Sequence, residues 1–142
     1  MAGSIDLEII TSSEVALRAE IQDLYIPAFL GEAGVLSHHL PYLTLLKAGE
    51  ISYLDQSRKR HFLYSGEGFL EVRDDHIALI IDDFVRGEDL REDELKKRLQ
   101  ETEARIRSSF KGAITPDELQ AELARQRELQ LKLAICMKIK GK

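Results

Sequence analysis

Along the first half of the chain, apolar and polar residues alternate in short bursts. Ile5, Leu7 and Ile9 alternate with polar neighbours, as do Val15, Leu17, Ala19 and Ile21, and a period of two is that of a strand with one face buried. Ser12-Ser13-Glu14 separates the two runs. Leu24 and Ile26 carry an apolar face onward to Pro27, where the strand is predicted to stop, and Leu43, Leu45 and Leu46 rebuild one beyond Pro41. Between them, the stretch beginning at Gly31 opens with a glycine-bracketed turn, Gly31 and Gly34 being the brackets. Ile51 to Leu54 and His61 to Tyr64 flank a polar loop from Asp55 to Arg60, while Phe69 to Val72 and Ile77 to Ile81 flank Asp74-Asp75. Both arrangements predict β-hairpins. Short strands at this spacing, with no helical period between them, predict an antiparallel sandwich or barrel.

The second half changes period. Asp89, with Glu92 three residues on, matches a capping box, and Leu95, Leu99, Ile106 and Phe110 then fall on one helix face. Ser108 to Ala113, containing Gly112, ends that helix. A second start follows at Thr115, with Pro116 at the first helical position, Glu118 closing the box and Ile114 set to pack on Leu119. A cap of this kind contributes about 1 kcal/mol. Leu131, Leu133, Ile135, Met137 and Ile139 alternate with Lys132, Ala134, Cys136, Lys138 and Lys140, which by itself is strand periodicity. Composition and the capped start favour a continued helix. Its apolar residues then lie on two sides, which predicts a partner surface.

Composition sharpens the division. Residues 1–86 hold 7 basic against 14 acidic side chains, and residues 87–142 hold 13 against 11. Eight of the nine Phe and Tyr residues precede residue 87, so the expected boundary lies at Arg86-Gly87, giving domains 1–86 and 87–142. The acidic first part argues against nucleic acid as a partner. No apolar run exceeds Ile77 to Ile81, far too short to cross a bilayer, and the N-terminus has no signal-peptide pattern, so no membrane insertion is expected. The single cysteine, Cys136, has no partner for an internal disulfide.

Candidate chemistry adds little. Adjacent His38 and His39 on an extended segment point oppositely and lack zinc-ligand spacing, and Asp74-Asp75 and Asp82-Asp83 read as a turn and a strand end. There is no phosphate-binding glycine loop of the G-x-x-x-x-G-K-[ST] kind and no marked nucleophile. No catalytic, metal or cofactor site is expected.

The run Gly31-Glu32-Ala33-Gly34-Val35-Leu36, with His39, Pro41, Leu43, Leu46, Lys47 and Gly49, resembles the signature of the epsilon subunit of the bacterial F-type ATP synthase. Phe62 to Val72 is similar to that family's strand ending in a Gly-rich turn and Leu-Glu-Val. Arg86-Gly87-Glu88-Asp89-Leu90 is similar to its passage into a helical tail, and the similarity runs from about Leu7 to Ile139. The resemblance implies an α+β protein, a β-sandwich of ten strands followed by a C-terminal α-helical hairpin. It implies a non-catalytic rotor subunit in the central stalk of a proton-translocating complex, peripheral on the cytoplasmic face of the bacterial inner membrane. The sandwich would bind the gamma subunit and the c-ring, with Glu32, Val35, Leu36 and His39 at that interface. The helical hairpin would fold down on the sandwich or extend along gamma to inhibit ATP hydrolysis. The extended tail would then partner the alpha and beta subunits, with Arg125, Arg127, Lys132, Lys138 and Lys140 facing an acidic surface on the catalytic beta subunits.

Three departures qualify the resemblance. Ser37-His38-His39 stands where the family has Pro-Gly-His, and Ser65-Gly66-Glu67-Gly68 where it has Ser-Gly-Gly. Where some members bind ATP through Ile-Asp-x-x-Arg-Ala, this chain has Leu90-Arg91-Glu92-Asp93-Glu94-Leu95, and a glutamate in place of a phosphate-facing arginine repels a triphosphate. No useful ATP binding is expected. The other reading is a free-standing β-sandwich binding module with a helical oligomerisation tail.

Overall fold

The computed structural model describes residues 3–38, 41–112 and 114–141. The chain forms two compact units, Met1–Arg86 and Gly87–Lys142.

The first unit contains, among the described residues, nine strands where the family resemblance implied ten. They are β1 (Ile5–Ile10), β2 (Val15–Ala28), β3 (Gly31–Leu36), β4 (Tyr42–Leu46), β5 (Gly49–Asp55), β6 (Arg60–Ser65), β7 (Gly68–Arg73), β8 (His76–Ile81) and β9 (Phe84–Arg86). One layer runs β4-β7-β8-β1 and continues into the first half of β2; the other runs from the second half of β2, flanked by β3, through β5 and β6 to β9. These pairings are antiparallel except that β1 lies parallel to β8. A single strand can serve both layers because its inward face changes phase: Ile21 is buried, then Leu24, Ile26 and Ala28. The register of β2 against β5 shifts between Ile21 and Asp23, and an extra residue of this kind bends a strand and re-aims its side chains.

Between the layers, Ile5, Leu7 and Ile9 of β1 pack with Leu70 and Val72 of β7 and with Ile77, Leu79 and Ile81 of β8 in one continuous core. Each such side chain contributes roughly 1.5–3 kcal/mol when fully buried.

Two local expectations fail. Pro27 does not end β2; it sits opposite Glu32 of β3, and its carbonyl accepts a hydrogen bond from the Lys47 amide at 2.8 Å. Only the amide hydrogen is missing from a proline, so the acceptor side of the strand is intact. The glycine-bracketed segment is not a turn; it lies within the strand Gly31–Leu36. The reversal is made by Phe29 and Leu30, with Gly31 at φ 134°, a conformation closed to side chains with a Cβ. The hairpin at Asp74-Asp75 is present, both residues having positive φ (50° and 59°), the twist a two-residue connection needs.

The second unit begins with a 3-10 turn, Gly87–Asp89, and continues as α1 (Glu92–Ser109) and α2 (Pro116–Lys140). Asp89 lies in that turn and does not cap α1. The N-cap is Arg91, which makes no side-chain bond, and the positive end of the helix is instead met by Glu92, Asp93 and Glu94. For α2 the capping box is present: Thr115 Oγ1 accepts from the Glu118 amide at 3.2 Å, and Glu118 Oε2 accepts from the Thr115 amide at 3.3 Å. Residues 131–139 are helical. The core here is small, with Leu95, Leu129 and Cys136 buried against Leu90, Leu99 and Leu133. Phe110, expected on the apolar face of α1, is the C-cap residue and is exposed.

Candidate interaction surfaces

The strand alternation of β3 sorts the expected interface residues. Glu32 and Leu36 point outward, whereas Val35 is 1% exposed and belongs to the core, so it holds the strand rather than meeting a partner. Leu36 is 57% exposed. His39 lies outside the described residues. Beside them, the turn between β2 and β3 carries Phe29 and Leu30, the latter 98% exposed, with the Lys47 ammonium 5.9 Å from the Phe29 ring centre. Sequence reasoning missed this tip. Two large apolar residues immediately before a glycine were the available signal.

A second surface crosses the outer face of one layer. Leu45 of β4 pairs with Phe69 of β7, Phe69 with Ile80 of β8, Ile80 with Ile10 of β1, and Ile10 with Val15 of β2. Leu45, Phe69, Ile80 and Val15 are exposed, as is Leu43 two residues before Leu45. Scattered apolar residues are ordinary on surfaces, but a row in register over five strands is a contiguous patch of the kind that marks a contact with another macromolecule.

The polar clusters of this unit are structural. His61 Nε2 lies 2.8 Å from Asp55 Oδ2, and the His61 ring stacks on Tyr53. Asp55 also accepts from the Ser57 and Lys59 amides, and its carboxyl is held below the usual aspartate range, first by the His61 hydrogen bond and then by the Lys59 amide. Arg60 forms a two-pronged pair with Asp23, at 2.6 and 2.9 Å, and lies over the Tyr25 ring. His38 is tied to Asp75, whose Oδ1 accepts its amide at 2.6 Å. A shallow cleft of about 420 Å³ is lined by Asp6, Arg18, Glu20 and by Glu8, which already pairs with Arg18 and His76. Among the described residues no group of His, Cys, Asp and Glu could hold a metal ion.

In the helical unit, the five basic residues picked out from the sequence have different surroundings. Arg125 pairs with Glu122 at 3.0 Å, Lys132 with Glu128 at 3.1 Å, and Lys140 with Glu92 across the helical hairpin. Arg127 and Lys138 are exposed. The sequence put these charges beside apolar residues, but it did not indicate that Glu122 and Glu128 of α2 itself and Glu92 of α1 supply their counter-ions.

Fold and surfaces together define a scaffold protein, in which a β-sandwich presents exposed apolar faces and a helical hairpin combines a small apolar core with ion pairs between its helices. Residues 4–87 match the family described as ATP synthase, Delta/Epsilon chain, beta-sandwich domain. The chain is 33% identical over 108 residues to the ATP synthase epsilon chain of Desulfosudis oleivorans, covering 76% of this chain and 81% of that one. It is also 33% identical over 130 residues to the ATP synthase epsilon chain of Nitratidesulfovibrio vulgaris (strain DP4), covering 89% and 96%. A chain in the cryo-EM structure of the Euglena gracilis mitochondrial ATP synthase (OSCP/F1/c-ring) shares the fold, with a TM-score of 0.69 at 23% identity, covering 97% of this chain and 80% of that one. The protein belongs to the ATP synthase epsilon-chain family and is a non-catalytic subunit of the complex. Among the described residues no helix is long and apolar enough to cross a membrane.

Proposed function

We propose that this chain is the central-stalk epsilon subunit of a proton-translocating F-type ATP synthase, peripheral on the cytoplasmic face of a bacterial inner membrane. In this reading the β-sandwich couples the gamma subunit to the c-ring, and the helical hairpin restrains ATP hydrolysis. The observation that carries it is the in-register row Leu45, Phe69, Ile80 and Ile10 on a rigid sheet, a surface suited to permanent apolar contact with a large partner. The exposed tip of Phe29, Leu30, Glu32 and Leu36 supplies a second, separate contact. We assign the row to gamma and the tip to the c-ring, with Arg125, Arg127, Lys132, Lys138 and Lys140 serving the extended tail on alpha and beta.

Two changes in the assembled enzyme test this assignment. Phe69→Asp puts a charge in the middle of the row and should abolish co-purification with gamma. Deleting residues 87–142 should leave assembly intact and raise ATP hydrolysis. Retained gamma binding by the first variant, or unchanged hydrolysis by the second, would overturn the corresponding half of the assignment.

A further inference from the structure

The two helices of the second unit meet through a repeated arrangement of charge. Near one end of the helical hairpin, Glu92 receives Lys96 of its own helix at 3.0 Å and Lys140 of α2. Near the other, Glu122 receives Arg125 of its own helix at 3.0 Å and Arg105 of α1 at 3.1 Å. Both carboxylates are well covered, at 16% and 13% side-chain exposure, while the four cations are about half exposed or more. Each acid therefore holds one cation that stays with it whatever the helices do and one that belongs to the opposite helix.

We infer that these two carboxylates are the latch of the helical hairpin, and that opening releases Lys140 and Arg105 while Lys96 and Arg125 remain bound. The physical argument has two parts. The shared apolar core is thin, so ion pairs between the helices make up a larger share of what holds them closed than they would over a thick core. An acid that lost its only partner on opening would make opening costly, but a resident cation one turn away removes most of that penalty. Closure is thus held by interactions that are individually weak, reversible and screened by salt, as partly exposed ion pairs are. The carboxyl of Glu92 is held below the usual glutamate range, first by the Lys140 hydrogen bond and then by Lys96, which agrees with two cations on one acid. The same arrangement makes the closed state a reservoir of positive charge: the two released cations sit on different helices, and an acidic surface competing for them would favour the open form. This inference concerns the helical unit alone and stands whether or not the tail inhibits hydrolysis.

The test is amide hydrogen exchange of the full chain, read on peptides from α1 and α2. Raising salt from about 10 mM to about 1 M shortens the screening length from about 30 to about 3 Å. Exchange in both helices should then rise by roughly two- to tenfold in the native chain, the range expected for two partly exposed pairs. Arg105→Gln with Lys140→Gln should show that faster exchange already at low salt and respond little to further salt. Lys96→Gln with Arg125→Gln removes the same net charge from the resident side and should keep the salt response. Salt-independent exchange in the native chain, or the same response in both double variants, would overturn the latch. The native titration needs no variant to fold.

Discussion

Among the described residues, the β unit closes on seventeen buried apolar side chains, Ile5 to Ile81, whereas the helical unit closes on three. The β unit draws its firmness from area removed from water and from registers that admit one arrangement, since a slip of one residue would turn every core side chain outward. The helical unit draws on a capping box, inter-helix ion pairs and a few leucines. Interactions of the first kind are not weakened by ionic screening and are hard to loosen piecemeal; those of the second can be undone one at a time. One chain thus carries a unit with a large apolar core and a unit with a small one, and the difference lies in how many apolar side chains each buries rather than in length.

The strongest way to break this contrast is to damage the larger core. Leu79→Ala empties a site with no exposure in the middle of β8 and should cost about 2–5 kcal/mol. All four tyrosines lie in the β unit, so tyrosine fluorescence during denaturant unfolding reads it selectively. A loss below about 1 kcal/mol would mean that the core is looser than its burial indicates.

A smaller change should improve the helical unit. Thr102 of α1 is fully buried, and its hydroxyl has no hydrogen-bond partner among the described protein atoms. Thr102→Val keeps the shape and removes the orphan group, which should stabilise the helices by about 1 kcal/mol. Helical ellipticity on heating is the measurement, and a lowered midpoint would show that the hydroxyl is satisfied in solution.

The gentlest perturbation is pH. The Glu92 carboxyl, facing Lys96, Lys140 and the Cys136 thiol, titrates below its ordinary value of 4.5, so its contribution is complete above that value and is lost as pH falls through the lowered one. Lys140, facing Glu92, Asp93 and Cys136, is raised above 10.5 by the Glu92 hydrogen bond, so its contribution is complete below 10.5 and lost as pH rises beyond it. Protection of α1 and α2 against hydrogen exchange, taken relative to the intrinsic amide rate at each pH, should be greatest between these limits and lower in acid. Glu92→Gln should flatten the acid side, and an unchanged acid limb would remove the carboxylate from the account.

The position of β1 was legible because it follows a local period of two, those of β5 to β8 because apolar runs flank the polar loops at Asp55 to Arg60 and Asp74-Asp75, and the start of α2 because Thr115 and Glu118 satisfy one another around Pro116 within a single turn. The strand β3 was hidden by its two glycines, which carry no side chain to display a period, and the continuation through Pro27 by a residue that ordinarily ends strands. The start of α1 was misread for a related reason: Asp89 and Glu92 have the right spacing for a cap, yet the backbone between them first makes a 3-10 turn.

Local pattern, then, determined the strand-then-helix order, the Thr115 cap and the family, since periodicity and motif spacing are written between near neighbours. Only the tertiary structure decided that Val35 is core while Leu36 is surface, that Leu45, Phe69, Ile80, Ile10 and Val15 form one row, and that Lys140 closes on Glu92. Those facts depend on register, on a bulge in β2 and on a reversal between two helices. Such features bring together residues tens of positions apart, where the identity of either residue carries no information about the other.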